Sequence, residues 1–208
     1  MAELTIPVKI NAVSIDFDDM TERLEITGRT GWQQIVGLAK EYPIDVRFIE
    51  MMPIGYGKIF KSINHNKLLE DIRAVYPQMK EDHTCHGFGP AVYYHIPGFQ
   101  GSIGFISAIH GKFCENCNRV RLTAQGYLKT CLCYKNGADL RSILRAEYDG
   151  AGRENQELWK KKDVLKEDVI RQKLTETMRE AIWQKPVAHC FERPEEITEA
   201  HNMAAIGG

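Results

Sequence analysis

Residues 111–133, GKFCENCNRVRLTAQGYLKTCLC, constrain this chain more than any other stretch. Cys114 and Cys117 are separated by two residues, and Cys131 follows after thirteen more. Arg119 and Arg121 stand directly behind the first pair. Three thiolates at this spacing can converge on a metal ion or cluster, and guanidinium forks beside them suit an anion. The β-branched and aromatic residues on either side of Gly126 predict an antiparallel hairpin, RVRLTAQGYLKTC. The cysteines flank that hairpin, so folding the ribbon back brings Cys131 toward the first pair. The long gap thereby acquires a physical reason.

Three occupants remain open on spacing alone. Zinc would use the C-x2-C knuckle with Cys131 and Cys133 completing four sulfurs, although zinc sites favour C-x2-C in both halves and the second half here is C-x-C. An iron–sulfur cluster held by three cysteines would leave one iron open to a ligand. The third reading is structural cysteines with no metal. On a strand, Arg119 and Arg121 would project to one face. A closed structural zinc site has no use for two such cations, whereas an open iron beside them suits a phosphorylated or carboxylate-bearing ligand.

Composition narrows the setting. Six cysteines in 208 residues, clustered in this way, do not form a secreted disulfide framework, so a reducing cytoplasm is the expected location. Lys+Arg 27 against Asp+Glu 28 gives a net charge of -1, which makes no bulk electrostatic case for nucleic acid or a membrane surface. The longest apolar runs, such as VRFIEMMPI, are too short to span a bilayer, and the N-terminal sequence MAELTIPVKI has no secretory pattern.

In chain order, residues 5–15 read as a strand alternating around Lys9 and Asn11, and 17–31 as a polar loop. Helical spacing over 32–42 stops at Pro43. The apolar run 45–53 suits a strand buried on both faces, and Arg47 and Glu50 within it should be paired or functional. Strand, helix, strand is a βαβ unit. If it belongs to a barrel, functional side chains lie at the C-terminal ends of the strands. A helix over 64–76 should face Leu68, Leu69, Ile72 and Val75 inward. AVYYHIPG and GSIGFISAI predict a hairpin, 139–145 a short helix, and 147–163 a charged solvated stretch. A last amphipathic helix spans 164–184, with Leu165, Val169, Leu174, Met178, Ala181 and Ile182 as its apolar side.

PVKIN (7–11), VRFIEMMPIG (46–55), FCENCNRVRLTAQGYLKTCL (113–132), DLRSILR (139–145) and the closing IGG resemble the C-terminal part of the GTP 3′,8-cyclase family. These are radical S-adenosylmethionine enzymes that begin molybdenum-cofactor (molybdopterin) biosynthesis. The resemblance covers nearly the whole chain, poorly over 14–31, and the C-x2-C-N-R-x-R-L-T block carries most of its specificity. It implies that Cys114, Cys117 and Cys131 hold an auxiliary 4Fe–4S cluster whose unique iron meets the guanine of GTP. Lys9, Asn11, Arg47, Arg119 and Arg121 match family positions that line the GTP site. Met52 matches a position near S-adenosylmethionine, and Gly207 and Gly208 match a tail that enters the active site. No catalytic residue is assigned.

The fold so implied is α/β: the last strands and helices of an incomplete (β/α)6 TIM-like barrel, then an antiparallel hairpin region and C-terminal helices. Residues 1–80 would be the barrel part and 81–208 the auxiliary-cluster and GTP-binding domain. The implied reaction is lyase-class: GTP becomes (8S)-3′,8-cyclo-7,8-dihydroguanosine 5′-triphosphate, which passes to cyclic pyranopterin monophosphate synthase. The complete enzyme is expected to be a homodimer. The family's radical-generating C-x3-C-x2-C is not in this sequence, and Cys85, Cys133 and Cys190 are read as ordinary buried thiols. S-adenosylmethionine and a second 4Fe–4S cluster therefore belong to an N-terminal half supplied elsewhere, and the chain alone should be inactive. The alternative of another class is a non-catalytic zinc or iron–sulfur module, which would close its fourth coordination position with Cys133.

Overall fold

A computed structural model of the chain describes residues 6–15, 31–111, 113–146 and 164–206, and divides into two compact units at Cys117/Asn118. Most of the expected polar loop over 17–31, the charged stretch 147–163, the side chain of Leu165, and Gly207 and Gly208 lie outside the described residues.

The first unit carries β1 (Val8–Ser14), α1 (Gly31–Glu41), β2 (Ile44–Glu50), α2 (His65–Val75), β3 (Lys80–Asp82), β4 (Val92–His95) and β5 (Ile103–Ile106). Its sheet has the order β1-β2-β5-β4-β3. β1, β2 and β5 run parallel, while β4 pairs antiparallel with both β5 and β3. The fold is therefore mixed α/β, and the hairpin expected from AVYYHIPG and GSIGFISAI is the β4–β5 pair. The sheet continues through residue 80, where a change of domain was expected.

Local chemistry sets the helix limits. α1 stops before Pro43, which cannot donate to the preceding turn. α2 begins behind Asn64, whose side chain accepts from the Asn66 N–H at 2.9 Å. Val36 and Ala39 of α1 and Leu68 and Ile72 of α2 pack in one cluster with Val46, Phe48, Ile103 and Phe105 of the sheet. Val75, expected to face inward, is 51% exposed.

β2 departs from its expected burial on both faces. Val46, Phe48 and Glu50 are buried, whereas Asp45, Arg47 and Ile49 are half-buried. The helices pack against one face, and the strand alternates accordingly. The apolar run extends further because Ile54, beyond the strand, is itself buried.

The second unit holds β6 (Arg121–Leu122), β7 (Tyr127–Lys129) and β8 (Gly137–Asp139) in one antiparallel sheet, with α3 (Leu140–Arg145) and α4 (Val164–Trp183). The predicted hairpin is β6–β7, turned at Gly126 with φ 81, a conformation that suits glycine. β8 was not foreseen, because Gly137-Ala138-Asp139 has no strand-favouring residue and is held by its pairing with β7. Asp139 caps α3, accepting from the Ser142 N–H at 3.1 Å. The apolar side of α4 is partly open, with Val169, Met178 and Ile182 between 38% and 47% exposed. Among the described residues no helix is long and apolar enough to cross a membrane.

The packing of α2 yields a contrast one turn apart. Ile72→Ala, at a fully buried site, should lower unfolding stability by about 2–5 kcal/mol. Val75→Ala, at a half-open site, should stay within about 0.5 kcal/mol. Urea unfolding of the two variants checks this, and equal losses would contradict the one-sided burial of the helix.

Candidate functional site

The parallel register of β1 and β2 sets Lys9 beside Asp45 and Asn11 beside Arg47, all on the face turned away from the helix-packed core. Arg47 donates through Nε to the Asn11 side-chain oxygen at 2.8 Å. Lys9 pairs with Asp45 at 3.4 Å, donates to the Tyr93 hydroxyl at 3.3 Å, and donates to the His86 carbonyl. Lys9 is thus a held lysine on an edge strand, with its side chain 21% exposed, rather than a solvated one. Gly104 of β5 lies opposite Arg47. A Cβ there would sit 3.0 Å from the Tyr93 ring and 3.1 Å from the Arg47 Cγ, so the missing side chain gives both room.

Sequence reasoning missed the groups that hold Lys9. His86 donates to Asp45 at 3.0 Å and to Asp82 at 2.9 Å, and its ring stacks on Tyr93 with centroids 4.0 Å apart. Burial pulls the His86 pKa down, but the Asp82 and Asp45 carboxylates outweigh it and the net direction is up. Hydrogen bonds from Thr84 and then His86 bring Asp82 down to about 2. The pairing of Lys9 with Asp45 depends on a register that the sequence alone did not give, and His86, in a Gly- and Pro-rich loop, gave no signal. A cavity of about 240 Å³ opens beside this network, between Asp82, Thr84, Cys85, His86 and Tyr93. That is below the usual range for a ligand of drug size.

At the end of β2, Glu50 lies on the opposite face from Arg47, so the two do not form the mutual pair that was one expectation. Its carboxylate is fully buried and accepts from the N–H groups of Ile109 (2.6 Å) and His110 (3.0 Å) and from the His110 ring. Burial raises its pKa, but these bonds outweigh burial and hold it below the usual carboxylate value. Met52 follows two residues later, half-buried, in the segment leaving the C-terminal end of β2.

Cys114 lies within a single 3₁₀ turn, Phe113–Asn116, and Cys117 follows it directly, its N–H donating to the Cys114 carbonyl at 3.0 Å. Side chains three apart eclipse in such a turn, which sets the two half-buried thiols on one side. They belong to the first unit, whereas Cys131, Arg119 and Arg121 belong to the second. Cys131 is half-buried, two residues past β7.

The expected shared strand face for the arginines is not what forms. β6 begins at Arg121, which pairs with Lys129, and Arg119 precedes it in irregular backbone with its carbonyl accepting from Lys185 at 3.0 Å. β7 is only three residues long and offers Arg119 no ladder.

Cys133 and Cys190 are fully buried with their sulfurs 2.8 Å apart, and burial pushes the Cys133 thiol up to about 12. Cys85, expected to be buried, is exposed in the loop after β3. Among the described residues no three His, Cys, Asp or Glu side chains are gathered to hold a single metal ion.

Residues 44–162 match the family model described as Molybdenum Cofactor Synthesis C, a range that includes Arg47, the three cysteines and both arginines. The chain is similar to GTP 3′,8-cyclase of Clostridium perfringens, 35% identical over 206 residues that are 99% of this chain and 54% of that protein. It is 33% identical to GTP 3′,8-cyclase of Desulforamulus reducens, over 97% of this chain and 53% of the other. Human molybdenum cofactor biosynthesis protein 1 is 35% identical over 67% of the chain and 21% of its own length. The chain thus spans about half the length of the bacterial relatives it matches.

His86 supplies a pH signature. Its folded-state pKa is raised, so its contribution to stability is fully present below the unfolded value, about 6.5, and is lost as pH rises through the folded value. Unfolding free energy should fall across that window in the wild type and flatten in His86→Gln. An NMR titration placing His86 at or below about 6.5 would contradict the pairing with Asp45 and Asp82.

Proposed function

Because the chain belongs to the Molybdenum Cofactor Synthesis C family, we propose that it is the GTP-binding, auxiliary-cluster half of a GTP 3′,8-cyclase acting in molybdenum-cofactor biosynthesis. The observation that carries this reading is the register that sets Lys9, Asn11 and Arg47 on one accessible sheet face. Arg47 spends its Nε on a neutral oxygen, so its full charge is available to an anion, whereas Lys9 is shared with Asp45. A triphosphate is the ligand chemistry such a face fits, by charge-assisted hydrogen bonds to its oxygens. Arg119 and Arg121 would add two more cations. Three parallel strands with helices on one face support the last part of a radical S-adenosylmethionine barrel, with Met52 at the strand end where such barrels carry their ligands.

The thiol pair on its 3₁₀ turn fits cluster ligation, since both sulfurs lie on one side and neither is sealed in the core. Cys114, Cys117 and Cys131 would hold the 4Fe–4S cluster, which when bound supplies an open iron as Lewis acid for the guanine. Cys133, sealed in the core against Cys190, would take no part. Gly207 and Gly208 would reach the same site. Generation of the radical from S-adenosylmethionine, by the C-x3-C-x2-C motif not found in these 208 residues, would fall to a longer or separate chain. The present residues would then bind GTP without cyclising it, in a reducing cytoplasm, and pass product to cyclic pyranopterin monophosphate synthase only in the complete, homodimeric enzyme.

Anaerobic reconstitution should yield iron, sulfide and broad visible absorption. Cys131→Ser should abolish them, and Cys133→Ser should leave them unchanged. Arg47→Ala should weaken GTP binding at least about tenfold, and the Arg119→Ala/Arg121→Ala double variant should abolish it with cluster content intact. Stoichiometric zinc without sulfide, or unchanged GTP affinity in the double variant, would overturn the assignment.

A further inference from the structure

We propose that Glu50 is a positioning residue for the Cys114–Cys117 thiol pair, acting by anchoring the turn 107–111 from which the chain runs into it. The ligand role of the two thiols is taken from the function proposed above; the anchoring itself rests on geometry alone. Glu50 is the last residue of β2, Ser14 the last of β1, and β5 ends at Ile106, so three parallel strands finish together. The turn begins at Ser107 directly beyond the third of them, at the strand ends from which active-site loops of parallel βα structures depart.

Two polar connections fix this turn. From β2, the Glu50 carboxylate takes the Ile109 and His110 backbone N–H groups and the His110 ring together. From α2, the buried His65 bonds the Ser107 hydroxyl at 2.9 Å through Nδ1 and the Ser14 hydroxyl at 3.1 Å through Nε2. The turn closes on itself by the Gly111 N–H donating to the Ser107 carbonyl at 3.0 Å. Four residues after His110 comes Cys114.

A carboxylate with no exposed surface is costly to bury, and it is tolerated here because three donors surround it. An apolar side chain could fill the same space in the core, but it could not hold two consecutive backbone N–H groups. The bonds therefore fix a loop, and the loop leads to the thiols. Support of this kind acts on the thiols through the backbone of the loop rather than through a bond to either sulfur.

Amide hydrogen exchange on the metal-free protein tests the anchoring. Glu50→Gln should raise exchange across 107–117 while leaving α1 and β1 unchanged, and Ile72→Ala should not reproduce that pattern. In reconstituted protein, Glu50→Gln should release iron to a chelator several-fold faster than wild type. His110→Ala, which spares the two backbone bonds, should give a smaller acceleration. Unchanged exchange in Glu50→Gln, or equally fast release from Ile72→Ala, overturns the proposal. If Glu50→Gln does not fold, His110→Ala decides, and release and a visible spectrum identical to wild type overturn it. A wild type that takes up no iron and sulfide removes the proposed function instead, and the exchange comparison still decides the anchoring.

Discussion

A slip of one residue between β1 and β2 would turn Lys9 and Asn11 into the core beneath α1 and α2, and every polar contact on the strand face would be lost. The inward residues of β1, Ala12 packed against the core cluster and the buried Ser14, resist that slip, because only one register keeps them under the helices. Hydrophobic burial on one side of the sheet therefore dictates chemistry on the other. The same strand carries two faces: Arg47 faces outward beside Asn11, and Glu50, three residues on, faces inward to a loop.

Charge on this face is arranged rather than accumulated. The chain as a whole is close to neutral, yet Asp45 and His86 constrain Lys9 while, among the described residues, the guanidinium of Arg47 meets an amide oxygen at Nε. In the second unit the buried Lys129–Glu199 pair, which His201 joins from the surface, ties the tail to β7. Such a pair costs desolvation and gives back specific geometry, so it fixes the course of the tail more than it adds stability.

The helices and both hairpins were legible because their signals are local: Pro43, the period of Leu68 and Ile72, and Gly126. What escaped was set by tertiary contact. The short β6 left Arg119 outside the ladder that a period-two reading had given it, and β8 exists only through β7. The one-sided burial of β2 was hidden because Ile49, Met51 and Met52 are apolar without being fully buried. Among candidate site residues, Arg47 and the C-x2-C turn could be picked out by residue type and spacing, and Lys9 and Asn11 by resemblance alone. His86, Tyr93 and His110 could not, since each acquires its role from a partner forty or more residues away.

The two sealed sulfurs of Cys133 and Cys190 carry a practical consequence for handling the protein. With the first held protonated to about 12 and both out of reach of water, a thiol reagent at neutral pH meets a protein with two fewer cysteines than its sequence contains. Alkylation can therefore be directed at Cys85 and the proposed ligand set in the folded state, and the remaining pair becomes an internal gauge of unfolding, reacting only when the second unit opens.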